Sequence, residues 1–88
     1  MKRSKLQATL AILNTLWKNG RSKPTHITYH TFQNITSANE CLSFLREHEL
    51  VQEIEINKRT EYEITSTGIR AIRLAHRIDE CLPLLSCF

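Results

Sequence analysis

Eighty-eight residues, 41% of them hydrophobic, furnish one modest core and exclude both a second domain and a deep internal enzyme pocket. The formal charge of +3 conceals an asymmetry: residues before Glu40 include six bases and no acid, while those from Glu40 onward carry six bases against all nine acids. No run is apolar enough to span a bilayer, and the basic N-terminus lacks the apolar stretch and cleavage site of an export signal, so a cytoplasmic protein is expected.

From Ser4 to Asn19, Leu6, Leu10, Leu13 and Trp17 recur at helical spacing and Ile12 and Leu16 widen the stripe, which predicts a central first helix. Asn19-Gly20 stops it, Ser4 is placed to cap it, and Met1 to Arg3 remain as a basic arm. Pro24 suits the first turn of a short second helix running to about Thr31, with Ile27, Tyr29 and Phe32 available to bury. His26 and His30 are four apart, but no acid accompanies them in a metalloprotease arrangement. They read as surface or partly buried histidines rather than metal ligands.

The stretch from Asn34 to Gly68 reads as helix, strand, turn, strand and the start of another helix. Ile35, Ala38, Cys41, Leu42 and Leu45 form one apolar helical face, and Thr36, Ser37, Asn39, Glu40 and Ser43 lie on the exposed one. The cap is either Asn34 or, in a capping box with Glu40, Ser37; the apolar series favours Asn34, and the helix is expected to end near His48. Ile54 and Ile56, then Tyr62 and Ile64, alternate with glutamates as in a half-buried strand pair. If all four face the core, opposed positions add to an even number. That excludes a two-residue turn between Asn57 and Thr60, predicts a three- or five-residue loop, and gathers Glu53, Glu55, Glu61 and Glu63 on the outer face. Such a face repels polyanions and is either solvated or turned toward arginines of another helix or subunit; only the tip, Lys58 and Arg59, is basic.

Thr65-Ser66-Thr67-Gly68 opens a last helix, predicted from about Ser66 to Leu82, just before Pro83. Ile69, Ile72 and His76 are placed to dock on the domain. Ala71, Leu74, Ile78, Cys81 and Leu85 step three and four apart, the seam of a short coiled coil, with a helix folded back on its own domain as the equal alternative. Arg70, Arg73 and Arg77 form a basic stripe, available to a polyanion, to the hairpin's glutamates or to solvent. Three cysteines without a C-x-x-C pair argue against a zinc ribbon; Cys41 belongs to the core, and Cys81 and Cys87 leave a disulfide open.

The order helix, helix, helix, hairpin, helix defines an α+β winged helix-turn-helix: three helices, a two-stranded β-hairpin wing and a C-terminal helix. Residues 1–68 make the winged-helix core, and residues 69–88 a C-terminal helix and tail that is a candidate dimerisation element within the same domain.

Several pieces match in order and spacing: Lys2-Arg3-Ser4-Lys5-Leu6, Lys23-Pro24-Thr25-His26-Ile27-Thr28-Tyr29, Cys41-Leu42-Ser43-Phe44-Leu45, Glu49-Leu50-Val51, and Tyr62-Glu63-Ile64-Thr65-Ser66-Thr67-Gly68. Over residues 2 to 80 the chain thereby resembles the small archaeal winged-helix regulators, including the ten-kilodalton chromatin-associated DNA-binding type. The resemblance implies duplex DNA binding, commonly as a dimer joined through the C-terminal helix, with helix 3 in the major groove and the wing along the backbone. Two departures stand out: helix 3 offers Glu40 and no lysine or arginine before Arg46, and the position before Leu50, often glycine in the family, is Glu49.

The combined reading is a small DNA-binding transcriptional regulator. Ser37, Asn39 and Ser43 are the candidate base contacts, and Arg3, Lys5, Arg21, Lys23, Lys58 and Arg59 the candidate phosphate contacts. Double-stranded DNA and a second copy of the chain are the expected partners, without cofactor or metal. A protein-binding winged helix, motivated by the acidic wing face, is one alternative; a redox- or metal-responsive regulator using Cys81, Cys87, His26 or His30 is another. No nucleophile, base and orienting acid and no glycine-rich phosphate loop come together, which argues against an enzyme.

Overall fold

The computed structural model describes residues 5–31 and 34–81. Its elements are α1 (Lys5–Asn19), α2 (Pro24–Thr31), α3 (Ile35–Glu47), β1 (Val51–Ile56), β2 (Arg59–Ile64) and α4 (Ser66–Asp79). Ser4, Arg3, Phe32, Leu85 and Cys87 lie outside the described residues.

Helix α1 is the hub, touching α2, α3, α4 and β2. Its buried residues are Ala8, Thr9, Ala11, Ile12, Leu13 and Leu16. Leu6 and Trp17, expected in the stripe, are 58% and 38% exposed. The neighbouring helices close on the side bearing Ile12 and Leu16, so the two ends of the leucine row remain at the rim. In α2, Ile27 and Thr31 are buried, whereas Tyr29 points outward at 78% exposure.

Asn34 caps α3: its side-chain oxygen accepts a hydrogen bond from the Ser37 backbone N–H at 2.8 Å, which decides for the earlier start. Ala38, Cys41, Leu42 and Leu45 are buried as the spacing predicts, while Ile35, on the first turn, is 51% exposed. After the His48 cap, Glu49 N–H donates to Arg46 O at 3.1 Å and Leu50 N–H to Leu45 O at 2.9 Å, with Glu49 at φ 59°. That left-handed residue is the glycine position of a helix stop, filled here by a side chain that favours it less.

The hairpin register corrects the parity expectation. Val51 pairs with Ile64, Glu53 with Tyr62, Ile54 with Glu61 and Ile56 with Arg59, so the loop is the two residues Asn57-Lys58. Both have positive φ, 50° and 65°, the backbone of a type I′ turn whose twist suits a tight hairpin. Tyr62 and Ile64 therefore share the core-facing side with Val51, while Ile54 and Ile56 lie on the other side and are only partly covered. The glutamates are divided two and two between the faces, and no single acidic face exists. A third strand is reduced to one residue: Ser22 bridges Tyr62 through reciprocal backbone hydrogen bonds of 3.0 and 2.8 Å.

Helix α4 is pinned at both ends. Thr65 Oγ1 accepts from Gly68 N–H at 3.0 Å and donates to Glu49 O at 2.7 Å, tying the α4 cap to the end of α3. A Cβ on Gly68 would sit 2.1 Å from Leu50 O, so only glycine allows this approach. Further along, Ile72 and Ala75 are buried against the core, and His76 Nε2 lies 2.9 Å from Asn14 Oδ1 on α1. The helix stops at Asp79, short of the expected Leu82, and Cys81 N–H closes a tighter turn on Ile78 O at 2.9 Å. No described helix is long and apolar enough to cross a membrane.

Candidate nucleic-acid interface

With Ala38, Cys41, Leu42 and Leu45 turned inward, the 100° step of an α-helix puts Thr36, Glu40, Ser43 and Glu47 at the centre of the outward face of α3. All four are exposed, as is Asn39 on the flank toward the hairpin. Ser37 falls on the opposite flank, is half-buried, and gives its backbone N–H to the cap. Of the three candidate base contacts, Asn39 and Ser43 thus stand in the open and Ser37 does not.

The candidate phosphate contacts fall in separate places. Lys58 and Arg59 are exposed at the hairpin tip. Arg21 and Lys23 line a cleft before α2 together with Asn19, Ser22, His26 and Glu61. Lys5 opens α1 beside Leu6, Thr9 and Phe44, an apolar surface depression.

Three of the four wing glutamates are engaged within the chain. Arg21 Nε stands 3.4 Å from Glu61 Oε1, Arg46 pairs with Glu53, and Gln52 Nε2 donates to Glu63 Oε1 at 2.7 Å. Arginines of other segments do meet the glutamates, although they come from the loop before α2 and from α3 rather than from Arg70, Arg73 and Arg77. With the glutamates also split between the two faces of the hairpin, the continuous acidic wing face expected from the sequence does not form. Arg46 was not among the expected contacts; a base in the last turn of a helix followed by an acid on the next strand is its only sequence signal. Burial pushes the Tyr62 phenol above its ordinary value, the Glu53 carboxylate adds to the rise, and Arg46 opposes it.

On α4, Leu74 and Ile78 are exposed at 57% and 38%, forming the outward part of the expected seam. Ala71 instead packs against the core, and Cys81 is exposed beyond the helix end. Arg73 and Arg77 flank Trp17 and His76 in a shallow depression. The His26 and His30 rings lie 4.2 Å apart between centroids, and no cluster of three metal-ligating side chains occurs among the described residues.

The sequence matches the winged helix-turn-helix family over residues 2–82. The chain belongs to that family. Among solved structures, the winged helix resembles Sso10a-2, a DNA-binding protein of Sulfolobus solfataricus, with a TM-score of 0.75 and 24% identity over 91% of this chain and 85% of that one. It also resembles the homodimeric DNA-binding domain of Mb0332 from Mycobacterium bovis, a possible ArsR-family regulator: TM-score 0.71, 26% identity, 83% of this chain and 68% of that one. BpsR of Bordetella bronchiseptica, whose DNA binding is regulated by 6-hydroxynicotinic acid, superposes with a TM-score of 0.78 at 13% identity over 83% of this chain, which spans 58% of the BpsR chain. No curated protein sequence gives a significant match.

Proposed function

We propose that this winged helix is a small transcriptional regulator that binds duplex DNA, with α3 toward the major groove and the hairpin tip along the backbone. The observation that carries the reading is the polar outward face of α3, left free by the core, together with a hairpin whose two-residue turn and first β2 residue present Lys58 and Arg59 to solvent. Asn39 and Ser43 are the groove residues: Asn pairs with adenine edges and Ser with several bases. Phosphate attraction comes from the tip and from the basic segment before α2, because Glu40 and Glu47 on the α3 face repel DNA. Kinship with the small archaeal regulators is part of this reading, supported by the match to most of Sso10a-2.

A second copy of the chain completes the proposal, joined through the exposed Leu74 and Ile78 of α4. Salt-titrated binding to random duplex tests the function. Affinity should fall with a log–log slope of about −0.9 per phosphate neutralised, and no binding at low salt would end the DNA reading. Size-exclusion of the wild type beside Leu74→Glu tests the dimer; an unchanged elution volume would refute it.

A further inference from the structure

The cleft before α2 gathers three side chains able to carry positive charge, Arg21, Lys23 and His26, around one acid, Glu61. Glu61 reaches the cleft because the Ser22–Tyr62 bridge lays the loop against β2. That bridge consists of two backbone hydrogen bonds, so the loop keeps its place whether or not the side-chain ion pair is made. The pair itself is half open to water, with 43% of the Arg21 side chain and 21% of that of Glu61 exposed. A carboxylate and a phosphate diester present similar oxygen pairs to a guanidinium, and arginine binds both in the same fork.

We infer that Glu61 occupies, in the free protein, the seat that a DNA backbone phosphate takes in the complex, and that the phosphate displaces it from Arg21. The inference rests on the duplex-binding reading for its biological ligand, but the seat itself is a phosphate site of this cleft. Arg21 is then masked until DNA arrives, and Glu61 sets the affinity without touching a base. An exposed ion pair is weak, so the exchange is easily made and the mask tunes binding rather than abolishing it.

The test is a double-mutant cycle on the full chain, with duplex affinity read at several salt concentrations. Glu61→Gln should tighten binding about two- to fivefold and leave the salt slope nearly unchanged, because the same phosphate is neutralised in both complexes. Glu55→Gln is the charge control: Glu55 is exposed on the same hairpin, and no ion pair joins it among the described residues. It should give a smaller gain and no change in slope. Arg21→Gln should weaken binding in both backgrounds, by less in the wild type, where the lost phosphate contact is partly offset by the ion pair no longer broken, and by more in the Glu61→Gln background, where it erases the gain. Equal gains from Glu55→Gln and Glu61→Gln, or an Arg21→Gln loss that is the same in both backgrounds, would overturn the masking.

A second measurement separates the seat from DNA binding. Titration with inorganic phosphate, followed by the NMR shift of the Arg21 Nε–H, should saturate at lower phosphate in Glu61→Gln than in wild type. If neither protein binds duplex yet this difference holds, the DNA reading fails and the seat stands. If the two titrations coincide, the seat is refuted.

Discussion

Two turns bracket β1, and both bend through left-handed residues that are not glycine: Glu49 before the strand, and Asn57 with Lys58 after it. The backbone of the first is bonded into the structure, although the Glu49 side chain is exposed. Carbonyls at the end of α3 hold its amides, and Thr65 fastens its own carbonyl to the cap of α4. The second projects into solvent and carries the basic tip. The same backbone strain therefore serves architecture in one place and leaves a charged surface in the other, and the surroundings decide which.

The first turn should respond most to substitution. Gly68→Ala forces a methyl against Leu50 O and is expected to lower stability by about 3 kcal/mol, measured by urea unfolding, with Thr67→Ala at an exposed site as the near-neutral comparison. Thr65→Ala removes the α4 cap and the tie to Glu49 O; a loss of about 1–2 kcal/mol is expected in the same assay.

Glycine substitutions then set the two turns directly against each other. Glu49→Gly relieves left-handed strain at the end of α3 and should raise stability by about 0.5–1 kcal/mol. Lys58→Gly should also stabilise, because Asn-Gly is a favoured type I′ turn, but it should weaken duplex binding and flatten the salt slope by about 0.9. If Lys58→Gly leaves the slope unchanged, the tip does not meet a phosphate and the contrast between the turns is lost.

The smallest effect concerns Tyr62, whose neutral form is favoured in the folded chain. Its contribution to stability is fully present below the ordinary phenol value of about 10 and declines as pH rises through the higher folded value. Tyr62→Phe should flatten this alkaline decline in unfolding free energy, with no difference at neutral pH.

Most helix boundaries are legible because they are local chemistry, with Pro24 at a first turn, Asn34 and Thr65 as caps and Gly20 after α1; the end of α4 is not, since the helix stops at Asp79 rather than Leu82. Nor is the hairpin register. Giving all four apolar strand residues one core predicts an even register, whereas the turn preference of Asn57 prevails and leaves Ile54 and Ile56 on the outer side. Periodicity likewise overstates α1, since Leu6 and Trp17 keep the helical spacing but are only partly covered, Leu6 beside Phe44 of α3 and Trp17 against the His76 ring of α4. For the candidate site, exposure of Asn39, Ser43, Lys58 and Arg59 followed from the pattern. The pairing of Arg21 and Arg46 with wing glutamates depends on long-range geometry that no spacing encodes.

The one-residue bridge at Ser22 has an effect on how copies of the protein meet. It occupies the outer edge of β2 at Tyr62, so among the described residues the sheet edge without any such bridge belongs to β1. An open edge is a template for adding another chain's strand, and this one is only six residues long with Glu53 and Glu55 exposed along it. Like charges brought opposite one another disfavour pairing with a second copy of the same strand, so Glu53 and Glu55 guard this edge.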